Sequence, residues 1–198
     1  MVGLLAPILI AAGVAWLRAG SVAGLRHLRI YWWPGAVAAI GVQLILYNPP
    51  VDQWPSALTF GPPVWILSLA AILAVVVRNV FQQGPIRFAF MLAAFGLGLN
   101  LVVVMANGGY MPQSAEARLA VRGTVLPSTA NEMHLHNVAP TGPDTRLAWL
   151  GDVIPQPSWV PKANVISIGD ALLALGMAGL VLITIASGPH QRRKLADS

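Results

Sequence analysis

Long apolar runs separated by shorter polar stretches are the dominant pattern along the chain. Five of them approach or exceed the roughly 20 residues that an α-helix needs to cross a bilayer. They cover residues 2–17, 30–47, 63–77, 86–106 and 165–187. We therefore expect an all-α integral membrane protein with five transmembrane helices. The first run is expected to stay in the protein, because its basic residues follow the apolar stretch, whereas those of a signal peptide precede it.

Basic residues occupy alternate ends of these runs, and this predicts how the chain crosses the membrane. Short loops rich in Lys and Arg stay in the cytoplasm. The basic residues after the first and third runs and in the tail are Arg18, Arg26, Arg29, Arg78, Arg87, Arg192, Arg193 and Lys194. The loop at 48–62 contains no base and is expected outside. The N-terminus is thus predicted outside and the C-terminus in the cytoplasm.

The remaining polar stretch, residues 107–164, is predicted to form an extracytoplasmic cap between helices four and five. Its seven prolines exclude long helices, and its aromatic and aliphatic residues argue against disorder. We expect a mostly irregular structure over the helix ends. The chain then divides into a four-helix transmembrane region (1–106), the cap (107–164), the fifth helix (165–187) and a basic cytoplasmic tail (188–198).

Composition agrees with this reading and excludes several kinds of chemistry. The chain is 56% hydrophobic and 10% charged, against about 45–50% and about 25% in soluble domains. Its net charge of +5 is what basic cytoplasmic loops give, so no nucleic-acid partner is expected. The absence of cysteine removes thiolate nucleophiles, iron–sulfur clusters and cysteine-bound zinc. The spans contain no histidine and no chain of acids and bases, which argues against haem ligation and ion transport.

Two aspartates are candidates for chemistry at one membrane face. Asp170 lies one to two turns into the fifth span, where an acid is a functional candidate. Asp152 precedes the return of the chain to the membrane. Two close carboxyls can share a proton and activate a water molecule, as in aspartyl hydrolases. The alternative for Asp170 is structural, because an acid at a helix start interacts favourably with the helix dipole and the free amides.

Small residues and one amide in the fourth span predict helix packing. Gly96 lies four residues before Asn100 on the same helix face, and Gly98 repeats the small-residue spacing with Ala94. Such positions let helices approach and let an amide hydrogen-bond across the contact. A ligand contact of Asn100 is the alternative.

The turn Asn107-Gly108-Gly109 is expected to end the fourth helix, because these residues readily adopt positive φ angles. Glu132, His134 and His136 form a candidate metal set in the cap. Their spacing of two would place all three side chains on one face of a strand, and a carboxylate with two imidazoles suits zinc. A solvated or hydrogen-bonding role is the alternative for these three residues.

Three segments carry a resemblance. They are NGGYMP at 107–112, TRLAWLGDVIP at 145–155 and VISIGD at 165–170. Together and in this order they resemble a bacterial family of uncharacterised polytopic membrane proteins, which implies a multi-pass protein of the bacterial cytoplasmic membrane and no known activity. The order of an Asn-Gly turn and two aspartates is also similar to lipoprotein signal peptidases, and this resemblance implies that Asp152 and Asp170 are a catalytic pair. The chain departs from that second family in its span number, its long outer segment and the lack of an Asn-x-x-Asp-Arg signature.

Three functions follow as expectations. The first is a non-catalytic membrane subunit that packs in a larger assembly, such as a bioenergetic or photosynthetic one, with membrane lipids and other subunits as partners. The second is an intramembrane aspartyl hydrolase that uses Asp152 and Asp170. The third is a membrane protein that binds a lipid, a quinone or a pigment. No cofactor is predicted beyond the zinc set and these ligands.

Overall fold

The computed structural model describes residues 28–124, 135–160 and 163–196, with side chains up to residue 185. Within these ranges the fold is mostly helical and has five α-helices. They are α1 (Trp33–Leu46), α2 (Ala57–Val80), α3 (Ile86–Ala106), α4 (Ala115–Arg122) and α5 (Ile168–Ala196). The first apolar run, residues 2–17, lies outside the described residues, as do Arg18 and Arg26.

Three helices are long and apolar enough to cross a membrane: Ala57–Val80, Ile86–Ala106 and Ile168–Ile185. The run at 30–47 forms the shorter apolar helix α1, whose 14 residues span about 21 Å at 1.5 Å per residue. Trp32, with φ 60°, and Pro34 near the first turn set its start, and Pro49 and Pro50 follow its end. The structure thus supports a membrane protein with three spanning helices among the described residues.

The observed ends of two helices, α2 and α5, differ from the ends of the apolar runs that predicted them. Helix α2 begins before Pro62 and Pro63, which the pattern placed at a helix start, and contains both prolines. Helix α5 begins at Ile168 because Val165 and Ile166 belong to a strand. It continues beyond residue 187 to Ala196, through Gly188 and Pro189. Helix α3 covers the expected 86–106.

The helices pack in the order α1, α2, α3, α5, each against the next. Asn79, fully buried, joins the far end of α2 to the start of α1. It accepts a hydrogen bond from the backbone N–H of Tyr31 at 2.8 Å and donates to the carbonyl of Tyr31 at 3.0 Å. The Arg78 guanidinium lies 4.7 Å from the Tyr31 ring centroid. This end carries Arg29, Arg78 and Arg87 and lies opposite the cap.

The cap has more regular structure than an irregular loop. Strand β1 (Met111–Gln113) pairs in parallel with β2 (Val138–Pro140), and β3 (Ile154–Pro155) pairs antiparallel with β4 (Val165–Ile166). Helix α4 is capped at its start by the Ser114 hydroxyl and at its end by Gly123. These strands are only two or three residues long, and the described part of the chain is mostly helical.

A hydrophobic core joins the cap to the helices. Its buried members are Leu46, Ala57, Trp65, Val103, Val104, Met111, Leu135 and Leu150. Because they come from α1, α2, α3 and three separate cap segments, the cap is packed onto the helix ends rather than attached by a flexible linker. The residues that face each other across this junction are therefore held in fixed positions.

Candidate functional site

Helices α3 and α5 approach closely where their polar residues meet. A Cβ added to Gly96 would overlap the backbone of Gly169, and one added to Gly169 would overlap the Asn100 side chain. No larger residue fits at either position without moving a helix. Among the described residues, nothing lies within 4 Å of a Cβ added to Gly98, so the helix contact predicted for this glycine stays a prediction.

Asn100, Ser167 and Asp170 form a hydrogen-bonded network at this contact. The Ser167 hydroxyl donates to Asn100 Oδ1 at 2.8 Å, and Asn100 Nδ2 donates to Asp170 Oδ1 at 2.7 Å. The backbone N–H of Ser167 donates to Asp170 Oδ2 at 3.2 Å, and the Asp170 N–H donates to Ser167 Oγ at 2.9 Å. The last two bonds are a capping box. Asp170 therefore has the structural role at the helix start and also contacts α3.

Asp152 lies in the cap, buried beside β1. Its backbone N–H donates to the Pro112 carbonyl at 2.8 Å, and its own carbonyl accepts from Ser114 N at 2.9 Å. Gln113 Nε2 donates to Asp152 Oδ2 at 3.2 Å, while Gln113 Oε1 accepts from Arg118 Nη1 at 3.0 Å. Burial raises the pKa of the Asp152 carboxyl to about 7, and the charge of Asp170 adds to the rise, against a smaller lowering by the Gln113 bond.

The turn after α3 connects the spans to the cap. The Asn107 side chain donates to the carbonyls of Val103 and Arg146, both at 2.8 Å, and accepts from the Arg146 N–H at 2.9 Å. Gly108 and Gly109 have φ angles of 66° and 92°, which favour glycine. Asn107 thus caps the end of α3 and also holds a cap segment 39 residues away.

One cavity of about 590 Å³ lies between the helices and the cap and is lined by both Asp152 and Asp170. Its helix side is mainly apolar, with Ile40, Leu44, Leu69, Ile72, Leu97 and Leu173. Its cap side is mainly polar and charged, with Gln113, Arg118, Arg122, Asn137, Asp152, Gln156 and Asn164 beside the apolar Met111, Val138, Val165 and Ile166. Its volume is in the range of small-molecule sites, roughly 300–1,000 Å³.

The candidate metal set cannot be assembled from the described part of the chain. Glu132 and His134 lie outside the described residues, and His136 is exposed. Among the residues that the structure describes, no group of three His, Cys, Asp or Glu side chains could hold a metal ion.

Sequence reasoning missed four residues that shape this site. Ser167 could have been found, because Ser-x-x-Asp before an apolar run is the pattern of a capping box. No sequence pattern indicated the other three residues, because only the fold brings them to one cavity. They are Gln113, Arg118 and Tyr47.

Comparisons with known proteins confirm the first resemblance. Neither the curated proteins nor the solved structures give a match. The similarity to signal peptidases therefore stays a prediction. A family model described as a family of unknown function matches residues 27–182, which include all three resembling segments. The chain belongs to this family, DUF5317.

Proposed function

We propose that this protein binds an amphiphilic small molecule in the cavity between its spans and its cap, without chemical turnover. The observation that carries the proposal is the division of the cavity wall. The helices supply mostly apolar side chains, together with Gln43, Asn100 and Asp170, and the cap supplies mostly amides, arginines and a carboxyl. A molecule with an apolar tail and a polar head satisfies both parts of such a wall.

The same proposal includes the membrane arrangement. Five spans in the cytoplasmic membrane of a bacterium, with the cap outside and the C-terminus in the cytoplasm, fit the positions of the basic residues. Arg29, Arg78 and Arg87 lie at the end opposite the cap, which the positive-inside rule assigns to the cytoplasm. The cavity then opens at the outer face of the membrane.

Membership of a larger membrane assembly stays a prediction beside this binding role. Leu67, Phe88, Phe95 and Val102 on α2 and α3 are exposed apolar side chains, which suit lipid tails and neighbouring subunits equally well. A lipid, a quinone and a pigment each combine an apolar body with a polar group, so all three remain candidates for the bound amphiphile.

A matched pair of substitutions on α2 tests the binding role. Leu69 lines the cavity, whereas Leu67, two residues away, is 68% exposed on the outer surface. Leu69→Trp should fill the cavity and lower the amount of amphiphile that co-purifies in a mild detergent at least tenfold, measured by mass spectrometry of an organic extract. Leu67→Trp should leave this amount unchanged. Equal amounts in both variants and the parent protein would overturn the proposal.

Aspartyl hydrolysis is a second candidate, favoured by the presence of Asp152 and Asp170 in one cavity. One carboxyl would take a proton from water while the other donates a proton to the carbonyl oxygen under attack. The bonds from Asn100 and Ser167 to Asp170 favour the capping role instead. A fluorogenic diacyl lipopeptide tests the candidate. Cleavage lost in both Asp152→Asn and Asp170→Asn, with folding retained, supports hydrolysis, and absence of cleavage by the parent protein refutes it.

A further inference from the structure

We infer that the cavity recognises the phosphate-class head group of its amphiphile through Arg118, Arg122 and the Tyr47 hydroxyl. This inference rests on the proposed function and specifies its ligand. It starts from two buried donors on the cavity wall. Within the described residues, the Tyr47 hydroxyl and Arg118 Nε are buried and have no hydrogen-bond partner. Both side chains line the cavity.

Buried polar groups in folded proteins are nearly always paired, so two unpaired donors on one cavity wall indicate an acceptor that occupies the cavity. The Tyr47 ring is held in place by an edge-to-face contact with Trp65, with ring centroids 6.0 Å apart. Arg118 is held by its bond from Nη1 to Gln113. The two donors are therefore fixed before a ligand binds, which favours affinity.

Charge points to an anionic acceptor. Arg118 and Arg122 lie one turn apart on α4, and both line the cavity. Burial lowers the pKa of Arg118, and the charge of Arg122 lowers it further. Two like charges at this spacing repel each other, and an anion between them would remove the repulsion.

Among the described residues, neither aspartate of the cavity forms a direct ion pair with these arginines. Gln113 lies between Arg118 and Asp152, since it accepts from the guanidinium and donates to the carboxyl. Both oxygens of Asp170 accept hydrogen bonds from Asn100 and Ser167. The guanidinium groups thus remain available to a ligand at the cap side of the cavity.

The donor set matches a phosphate better than a carboxylate. Two guanidinium groups and one hydroxyl present donors from three side chains, and arginine binds phosphate oxygens in a bidentate manner. A tetrahedral phosphate offers three or more oxygens to these donors, whereas a carboxylate offers two. The aliphatic part of the wall, including Leu69, Leu97 and Leu173, then holds the acyl chains.

Three probes separate the head group from the chains. The full-length protein in a nonionic detergent is titrated in native mass spectrometry with dimyristoyl phosphatidic acid, with dimyristoylglycerol, which lacks the phosphate, and with glycerol phosphate, which lacks the chains. We expect phosphatidic acid to bind at least tenfold more tightly than either of the other two.

Substitutions locate the site. Arg122→Gln should weaken phosphatidic acid binding at least tenfold, and Tyr47→Phe should weaken it about tenfold, as expected for one hydrogen bond to a charged group. Because Arg118 also holds Gln113, Arg118→Gln is interpreted only where the melting temperature is unchanged. Arg87→Gln, at the opposite end of the molecule, is the matched control and should not change the affinity.

Different results of these titrations would overturn amphiphile binding and phosphate recognition. If dimyristoylglycerol binds as tightly as phosphatidic acid and Arg122→Gln has no effect, the head-group inference is overturned and amphiphile binding stands. If glycerol phosphate binds as tightly as phosphatidic acid in an Arg122-dependent manner, the anion site stands, its ligand is a soluble phosphate ester, and amphiphile binding is overturned. If none of the three probes binds, both proposals are overturned.

Discussion

Replacing Asp152 by asparagine is expected to stabilise the protein, and the gain should depend on pH. The Asp152 carboxyl is 6% exposed, and burial raises its pKa to about 7. A buried group that resists ionisation destabilises the folded state wherever the unfolded chain ionises freely. Asparagine keeps the shape of the side chain and can accept the hydrogen bond from Gln113, but it carries no charge.

The magnitude follows from the difference between the two pKa values. The pKa rises from an ordinary 3.8 to about 7, and each of these roughly three units corresponds to about 1.4 kcal/mol. The upper bound on the gain is therefore about 4 kcal/mol. Below about pH 3 the carboxyl is protonated in both states and the gain is near zero. Between pH 4 and 7 only the unfolded state ionises, so the stability of the parent protein falls and the gain rises. Above pH 7 both states are ionised, and the gain stays at its maximum.

Thermal unfolding between pH 4 and pH 9 measures this effect, with purified protein in a nonionic detergent and intrinsic tryptophan fluorescence as the signal. For a chain of this size a gain of about 4 kcal/mol corresponds to a rise in Tm on the order of 10 °C. Asp144→Asn, which removes an exposed carboxyl of the cap, is the matched control and should shift the Tm little at any pH. A Tm difference between Asp152→Asn and the parent that is the same at pH 4 and pH 8.5 would refute the reasoning.

Three further predictions concern single residues; the first two use the same melting assay, and the third uses amide hydrogen exchange. Ser167→Ala should lower the free energy of unfolding by about 1–3 kcal/mol, because the cap of α5 and a bond to α3 are both lost; a change below about 0.5 kcal/mol would contradict the network. Gly96→Ala should lower the Tm by several degrees, whereas Gly98→Ala, with open space around it, should keep or raise it; equal effects would exclude the close approach. Asn107→Ala should speed amide hydrogen exchange in the cap segment that its side chain holds, while exchange in the middle of α3 stays slow; unchanged exchange in that segment would show that other contacts hold it.

The spans were the part of the fold most accessible from sequence. Helix α3 was predicted with its observed bounds, because no charged residue lies between Arg87 and the polar turn that begins at Asn107. The start of α2 was missed because proline is common in the first turn of a helix, and the pattern therefore placed the start at Pro63. In the structure, six helical residues come before Pro63. A hydropathy pattern predicts which residues are removed from water, but it does not predict the residue at which a helix begins.

The cap and the site depended on contacts between distant residues. Strand β1 pairs with residues 27 positions later, as in the pair Met111 and Val138, and such short strands have no periodicity of their own. The two aspartates were found by their chemical type, but the cavity that they share exists only after the cap has folded. Arg118 and Arg122 were not predicted to line a cavity, because charged residues in a polar segment are usually exposed at the protein surface.

The hydrogen bonds between α3 and α5 also have a consequence for the order of synthesis. Asn100 is made 70 residues before its partner Asp170. During that interval α3 carries an unsatisfied amide within an apolar helix, which is unfavourable in a lipid environment. A chain that lacks α5 therefore leaves this amide without its partners Ser167 and Asp170. The network that starts α5 thus also makes the burial of a polar group on α3 depend on a helix that is synthesised later.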